Sequence, residues 1–406
     1  MSNKKSASPK LRFAEFANCG EVSFKNGDAL FEPISDKDHN CDLPVLAITQ
    51  EQGSIPREMI DYHVFVTDKS LESYKKVEVG DFIISLRSFQ GGIEYSSYQG
   101  ICSPAYIILR KKENVVNEYY KHYLKSKRFI QDLNRNLEGI RDGKMVSFEQ
   151  FSQILIPQPD TDEQQRIADC LESLDDLIDT EKNKLNTLQK HKNGLMQKFF
   201  PSFEESFPKL RFKEFCDKKI DFKNGDELFE PISNKDHKCD LPVLAISQEH
   251  GAIPREKIDY NVFVSDKSLE SYKVVEIGDF IISLRSFQGG IEYSVYRGIC
   301  SPAYIILRKK IDMCDQYFKY YFKTKKFIAD LNKNLEGIRD GKMVSYSQFS
   351  ELVLPVPDKK EQQKIADCLC SVDELINTQA TKIEELRNHK NGLLQQLFPS
   401  FEEVIK

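Results

Sequence analysis

The sequence predicts two α+β globular domains in tandem, each followed by a long α-helix carrying a coiled-coil seam. Three observations predict it. A stretch "EYSSYQGICSPAYIILRK" at 94–111 returns as "EYSVYRGICSPAYIILRK" at 292–309. Within each copy, short runs rich in β-branched residues alternate with amphipathic segments. Each copy then ends in a proline-free run with a seven-residue apolar repeat.

The repeat covers nearly the whole chain. "PKLRFAEF" at 9–16 returns as "PKLRFKEF" at 208–215, "SLRSFQGG" at 85–92 returns at 283–290, and "NLEGIRDGKMVS" at 136–147 returns at 334–345. Between Gly80 and Arg110, 29 of 31 residues match their partners. A period this long marks a duplicated domain, because solenoid repeats run to only about 20–50 residues. The boundaries read as a globular domain at 9–158, a helix at 159–200, a second globular domain at 207–356 and a second helix at 357–406.

In the first globular part, 43–49, 81–87 and 105–111 are strand candidates bounded by Gly, Pro or polar clusters. "FKNGD" at 24–28 and 222–226 carries an Asn-Gly turn signal. Residues 118–137 predict one amphipathic helix. Tyr119, Tyr123, Ile130, Leu133 and Leu137 share one face, and Lys121, Lys125, Arg128 and Arg135 share the other. The second copy sets Tyr317, Tyr321, Ile328, Leu331 and Leu335 against Lys319, Lys323, Lys326 and Lys333.

Asp160 and Asp358 are placed as N-caps of the long helices, with Glu163 and Glu361 in capping-box positions. Seam positions run Ile167, Leu171, Leu174, Ile178, Glu181, Leu185, Leu188, Lys192, Leu195 and Phe199. The second copy has Ile365, Leu369, Val372, Ile376, Gln379, Ile383, Leu386, Lys390, Leu393 and Leu397. Spacings that alternate four and three keep a stripe facing a partner helix.

Composition narrows the function classes. The net charge is −5, so any nucleic-acid contact must come from local patches or from a partner. No apolar run approaches the roughly 20 residues of a membrane span, and the polar start lacks a signal-peptide core, so a cytoplasmic protein is expected. None of the ten cysteines forms a Cys-x-x-Cys pair. "DHNC" at 38–41 and "DHKC" at 236–239 offer two ligands where zinc wants four, so no metal is expected.

A catalytic constellation is missing. The chain lacks the Asn/Asp-Pro-Pro-Tyr/Phe motif of amino-methyl transfer. "GIRDGKM" at 139–145 has three residues between its glycines and Met after Lys, which a phosphate loop does not. His122, His191 and His389 have no Ser or Cys at a recognisable spacing.

Binding chemistry is present. The basic faces can follow a phosphate backbone or be ordinary solvated faces. Arg87, Ser88 and Gln90, with Arg285, Ser286 and Gln288, can read base edges, since Arg suits guanine and Gln suits adenine. The same stretch can equally be a strand end and tight turn that shapes the domain. Arg141 and Lys144, with Arg339 and Lys342, are candidate phosphate clamps or members of an intradomain ion-pair environment.

The ordered set of motifs resembles the specificity subunits of type I restriction–modification systems. The matching stretches are "PKLRF-EF", "GDFIISLRSFQGGIEYS", "SPAYIIL", "EGIRDGKMVS", "PQPDTDEQQRIADCL" with "PVPDKKEQQKIADCL", and "HKNGL". The resemblance spans essentially the whole chain. It implies two target-recognition domains, each reading half of a split site in double-stranded DNA. It also implies two helices packed antiparallel, hence an approximate two-fold axis. Two methyltransferase subunits would dock on this framework, with motor-nuclease subunits as further partners. No cofactor is expected in this chain, since S-adenosylmethionine, ATP and Mg²⁺ would sit on the partners. The two recognition domains are near copies, where the family usually has dissimilar ones, so near-palindromic half-sites are expected. A coiled-coil scaffold that never reads DNA is the alternative.

Antiparallel packing of the seams also suggests a register. Placing the polar seam residues together puts Glu181 opposite Lys390 and Lys192 opposite Gln379.

Overall fold

The structure is a computed structural model that describes residues 6–39, 43–50, 52–60, 71–135, 146–200, 207–237, 241–248, 250–257, 269–333 and 344–399. It divides into two compact units. The first holds residues 1–182 and 381–406, and the second holds 183–380. Each unit therefore contains one globular domain, the first half of its own long helix and the last part of the other.

Each globular domain is α+β with the same topology. The first unit has a four-stranded antiparallel sheet in the order Phe31–Ile34, Ile107–Lys111, Phe82–Ile84, Glu94–Tyr95. Its counterpart runs Phe229–Ile232, Ile305–Lys309, Phe280–Ile282, Glu292–Tyr293. Register repeats too, with Ile107 opposite Ile84 and Ile305 opposite Ile282. The three strand candidates of the first copy fall on Leu46–Thr49, Phe82–Ile84 and Ile107–Lys111. Phe82, Ile83, Ile108 and Leu109 are fully buried, so both faces of the central strands are covered.

The Asn-Gly signal plays a different part. Strand Val22–Asn26 runs straight into a helical turn at Gly27–Leu30. A Cβ on Gly27 would lie 2.5 Å from the Phe151 carbonyl oxygen. Close approach, not a left-handed turn, demands glycine here.

The expected helix over 118–137 is two helices, Asn117–Tyr123 and Lys127–Arg135. Ser126 ends the first and starts the second: its Oγ accepts from the Phe129 N–H at 3.2 Å. Thr324 does the same for Phe327 at 3.2 Å. A hydroxyl at this N-cap position outweighs continuation of the amphipathic pattern. The apolar side is as expected: Tyr119, Tyr123, Tyr317 and Tyr321 are buried.

The long helices, Thr161–Phe199 and Lys359–Leu397, each run 39 residues. They pack antiparallel within each unit. In the first unit, Ile167, Ala168 and Leu171 share a core with Leu393, Leu394 and Leu397. In the second, Leu195, Met196 and Phe199 share one with Ile365, Ala366 and Leu369. The first helix's seam residues are buried or half-buried throughout.

The expected register is wrong by close to one heptad. Lys390 pairs with Asp175, not Glu181. Glu181 takes Lys382, and Lys192 pairs with Asp373 at 2.6 Å, not with Gln379. The one-heptad shift does not strand Lys192 and Lys390 as unpaired charges among apolar residues. Long lysine stems instead lie along the seam and carry the ammonium to a flanking carboxylate.

Each long helix is fastened to its own domain by the "EQQ" motif. Arg12 donates two hydrogen bonds to Glu163, both 2.7 Å, and Arg211 does so to Glu361 at 2.7 and 2.8 Å. Both carboxylates are almost fully buried. The Glu163 and Glu361 side chains thus serve these arginines instead of the expected capping boxes, because bidentate charged pairing is the stronger bond. Asp358 does cap, accepting from the Lys360 N–H at 2.9 Å. Gln164, fully buried, accepts from Val116 N–H and donates to the Asn114 and Pro159 carbonyls. Gln362 bonds Cys314 N–H and the Pro357 carbonyl in the same manner.

One joint position differs between the copies. Tyr320 donates its hydroxyl to Asp373 at 2.7 Å. Its counterpart His122 is buried, with Glu172 and Asp175 each 3.9 Å away, beyond hydrogen-bond reach. Those carboxylates already hold Lys121 and Lys390. Burial first, then these two lysines, push the His122 pKa down to about 3.

Two outcomes follow from this packing. A double-mutant cycle between Asp175 and Lys390, read by denaturant unfolding, should give a coupling of about 0.5–1 kcal/mol. The cycle between Glu181 and Lys390 should give none, and the reverse result would restore the earlier register. For His122, the folded state disfavours the proton, so its contribution is intact above about pH 6.5 and lost as pH falls toward 3. The expected slope is up to about 1.4 kcal/mol per pH unit. His122→Tyr should flatten the dependence of Tm on pH between 6.5 and 5. An unchanged slope would show that His122 is not the titrating group.

Candidate nucleic-acid interface

The sequence candidates separate into exposed groups, inward-turned groups and groups outside the described residues. Arg87 and Gln90 are exposed on a short helical turn, Ser88–Gly91, as are Arg285 and Gln288 on Ser286–Gly289. Ser88 is not available to a ligand. It is buried, and its Oγ accepts from Ser85 N–H at 2.9 Å. Ser286 is used alike, accepting from Ser283 N–H at 2.8 Å. Closing the turn at the strand end requires that hydroxyl.

The two glycines after each turn serve the domain. A Cβ on Gly91 would sit 2.8 Å from the Gln50 side chain, and one on Gly92 would sit 2.2 Å from the Leu124 carbonyl. Gly92 also has φ 81°, in the region that disfavours side chains.

The basic faces do not form free stripes. Lys125 donates to the Gln50 and Gly91 carbonyls, each at 3.1 Å, and to Glu94 at 2.6 Å. Lys323 contacts the Gly289 carbonyl and Glu292 likewise. Glu94 and Glu292 are buried, which pushes both carboxyls up, opposed by their lysines. A buried carboxylate captures the nearest ammonium, so these lysines are internal ties rather than phosphate contacts. Lys121 pairs with Glu172 on the long helix at 2.7 Å, and Lys319 lies over the Tyr293 and Tyr320 rings. Arg128 and Arg135 both pair with Asp132, at 3.0 and 3.4 Å. Lys333 pairs with Asp330 at 2.9 Å, and Lys326 borders the same shallow depression as Lys333. Arg141, Lys144, Arg339 and Lys342 lie outside the described residues.

Several differences between the copies also find an explanation. Gln99 donates to Glu78 at 2.7 Å, beside Lys76 on the same carboxylate at 2.8 Å. In the second copy Val274 replaces Lys76, and Arg297 replaces Gln99 and pairs with Glu276 at 3.1 Å. One cation is kept on one glutamate by exchanging which of the two positions supplies it. His39 and His237 contact the Tyr74 and Tyr272 carbonyls at 3.0 and 3.1 Å. Cys41 and Cys239 of those motifs lie outside the described residues. Among the described residues no helix is long and apolar enough to cross a membrane.

Sequence reasoning missed Gln50 and Gln248. Each exposed amide donates to the carbonyl of Arg87 or Arg285, at 3.3 and 3.0 Å. Their signal was available only indirectly, in the invariance of "Q" at 50 and 248 between two copies that differ at 52 and 250.

Comparison with known proteins agrees with this layout. The family model "Type I restriction modification DNA specificity domain" matches twice, over residues 14–190 and 204–388. The type I restriction enzyme MjaVIII specificity subunit of Methanocaldococcus jannaschii is 26% identical over 341 residues, covering 79% of each chain. The putative MjaX specificity subunit of that organism is 24% identical over 307 residues, 72% of this chain and 69% of its own. Among solved structures, a chain from work on complex assembly and conformational transition of the type I R-M system aligns with TM-score 0.56 at 18% identity, covering 93% of this chain and 97% of that one. The S subunit from M. genitalium aligns with TM-score 0.51 at 16% identity, covering 97% and 99%. With two matching family domains spanning most of its length, the chain belongs to the type I restriction–modification DNA specificity family and is a specificity subunit, the non-catalytic part of such an enzyme.

Proposed function

We propose that the chain recognises a bipartite DNA target, one half through each globular domain, and that the half-sites are inverted and nearly identical. The observation that carries this is the matched exposed turn: Arg87 and Gln90 recur as Arg285 and Gln288 on the same fold with the same strand register. Like surfaces read like base patterns, and inverted protein elements meet inverted half-sites. A guanidinium and an amide held on a rigid turn supply the donor–acceptor pairs that distinguish guanine and adenine in the major groove.

Methyl transfer then belongs to partner subunits. Two methyltransferase subunits would dock on this chain and bring S-adenosylmethionine, and motor-nuclease subunits would bring ATP and Mg²⁺. The chain's part is to hold those partners over one sequence. The candidate phosphate contacts narrow to the exposed arginines and to segments that include Arg141, Lys144, Arg339 and Lys342, since Lys125 and Lys323 are internal ties. A scaffold without DNA readout has no comparable use for matched exposed Arg and Gln.

Base-resolution mapping of methylated sites in cells carrying this chain and its methyltransferase tests the reading. The expected result is one bipartite motif whose halves are inverted and differ by at most a base or so. Unrelated half-sites would overturn the near-palindrome, and methylation unaffected by deleting the chain would overturn DNA readout altogether.

A further inference from the structure

We infer that the hairpin turn after Leu46–Thr49 and the exposed side of Ser88–Gly91 form one base-reading surface, which rests on the DNA-specificity reading above. Its side chains are Gln50, Gln52, Arg87 and Gln90 in the first domain. In the second they are Gln248, His250, Arg285 and Gln288.

The two turns are tied at three levels. Gln50 Nε2 donates to the Arg87 carbonyl, so the amide locks one turn onto the other. The Lys125 ammonium sits beneath both, donating to the Gln50 carbonyl of one and the Gly91 carbonyl of the other. Glu94, buried and rigid, holds that ammonium in place. Gly91 leaves no side chain between them. In the second domain Gln248 donates to the Arg285 carbonyl, Lys323 donates to the Gly289 carbonyl and to Glu292, and Gly289 again leaves no side chain in the way. Base readout needs side chains whose positions are set before binding, and this arrangement sets them.

The surface carries the chemistry of base edges. Arg87 spends its backbone groups on the turn, and among the described residues its guanidinium makes no hydrogen bond or ion pair, so it is available for the O6 and N7 of guanine. The exposed amide of Gln90 suits the N6 and N7 of adenine. Lys125 and Lys323 are positioning residues, and their charge is spent inside the protein.

One difference on this surface is left between the copies. Thr49 and Ser247 keep the same task, each hydroxyl accepting from the N–H of residue 52 or 250, at 3.1 and 2.9 Å. Gln52 and His250 do not match: an amide and an imidazole present different donor–acceptor pairs. We therefore assign to this pair one base position at which the two half-sites differ.

The full chain, co-expressed with its methyltransferase, tests this by methylated-site mapping and by binding of the purified complex to duplexes of the mapped site. Gln52→His should convert that one position of the first half-site to the base of the second, and His250→Gln the reverse. Arg87→Ala should relax one base position, with discrimination falling about 10- to 100-fold. Gln50→Ala, which removes a surface tie and buries nothing, should relax readout in the same half-site only. Lys125→Met should lower discrimination in that half while leaving the salt slope unchanged, whereas loss of a phosphate contact would reduce the slope by about one. The inference is overturned if the wild-type complex methylates a bipartite motif and the variants leave that motif intact. It is also overturned if Lys125→Met lowers affinity on all sequences with a shallower slope. Absence of any bipartite motif in the wild type would remove the proposed function first, and this surface with it.

Discussion

Each globular core is closed by the far end of the other copy's helix, and the rest of the architecture depends on that. Phe398 packs edge-on against Tyr119 and Tyr123 at 5.1 and 5.3 Å in the first unit. Phe200 packs in a tilted geometry against Tyr317 and Tyr321 at 5.2 and 5.6 Å in the second. Buried aromatics of this size dominate core energetics, at about 1.5–3 kcal/mol each by area alone. A single repeat would leave this socket empty and its seam exposed. Duplication is thus a requirement of the core: the second copy supplies the plug for the first, and the first for the second.

The joint between domain and helix is fixed by buried polar groups. Arg12 with Glu163, and Gln164 with three backbone groups, fix where the helix leaves the domain. A buried carboxylate with a bidentate arginine tolerates little displacement, because separating them strands a charge in an apolar setting. The same economy of buried charge recurs at Glu94 and Lys125, beneath the Gln50 and Gly91 carbonyls. Within each domain, then, the interior ionic ties position backbone carbonyls and helices, and the exposed arginine and glutamine side chains are left over for a ligand.

The fold was legible in the sequence where periodicity and repetition speak. Two copies, three strand segments, buried tyrosines and a heptad seam all stood out. What escaped depends on which hydrogen-bond or ion-pair partner a polar group takes, near or far in the chain. The break at Ser126 is a local capping choice that the apolar pattern of 118–137 concealed. The register escaped because Lys192 and Lys390 find carboxylates beside the seam, at Asp373 and Asp175, rather than across it. Lys125 read as surface charge because nothing in its own stretch of sequence reveals the buried Glu94 thirty-one residues earlier. Ser88 read as a base contact although its hydroxyl is consumed by its own turn. Arg87 and Gln90, by contrast, are exposed in the structure.

The central claim is that this chain, in complex with its methyltransferase, distinguishes DNA sequence through both domains. Competition binding tests it most directly. The assembled complex is titrated with a duplex bearing the mapped site, and with duplexes in which either half is scrambled, at one fixed salt concentration. The account predicts that scrambling either half weakens binding about 1,000-fold or more, and by similar factors for the two halves. Equal affinity for all three duplexes would contradict it, as would a loss confined to one half.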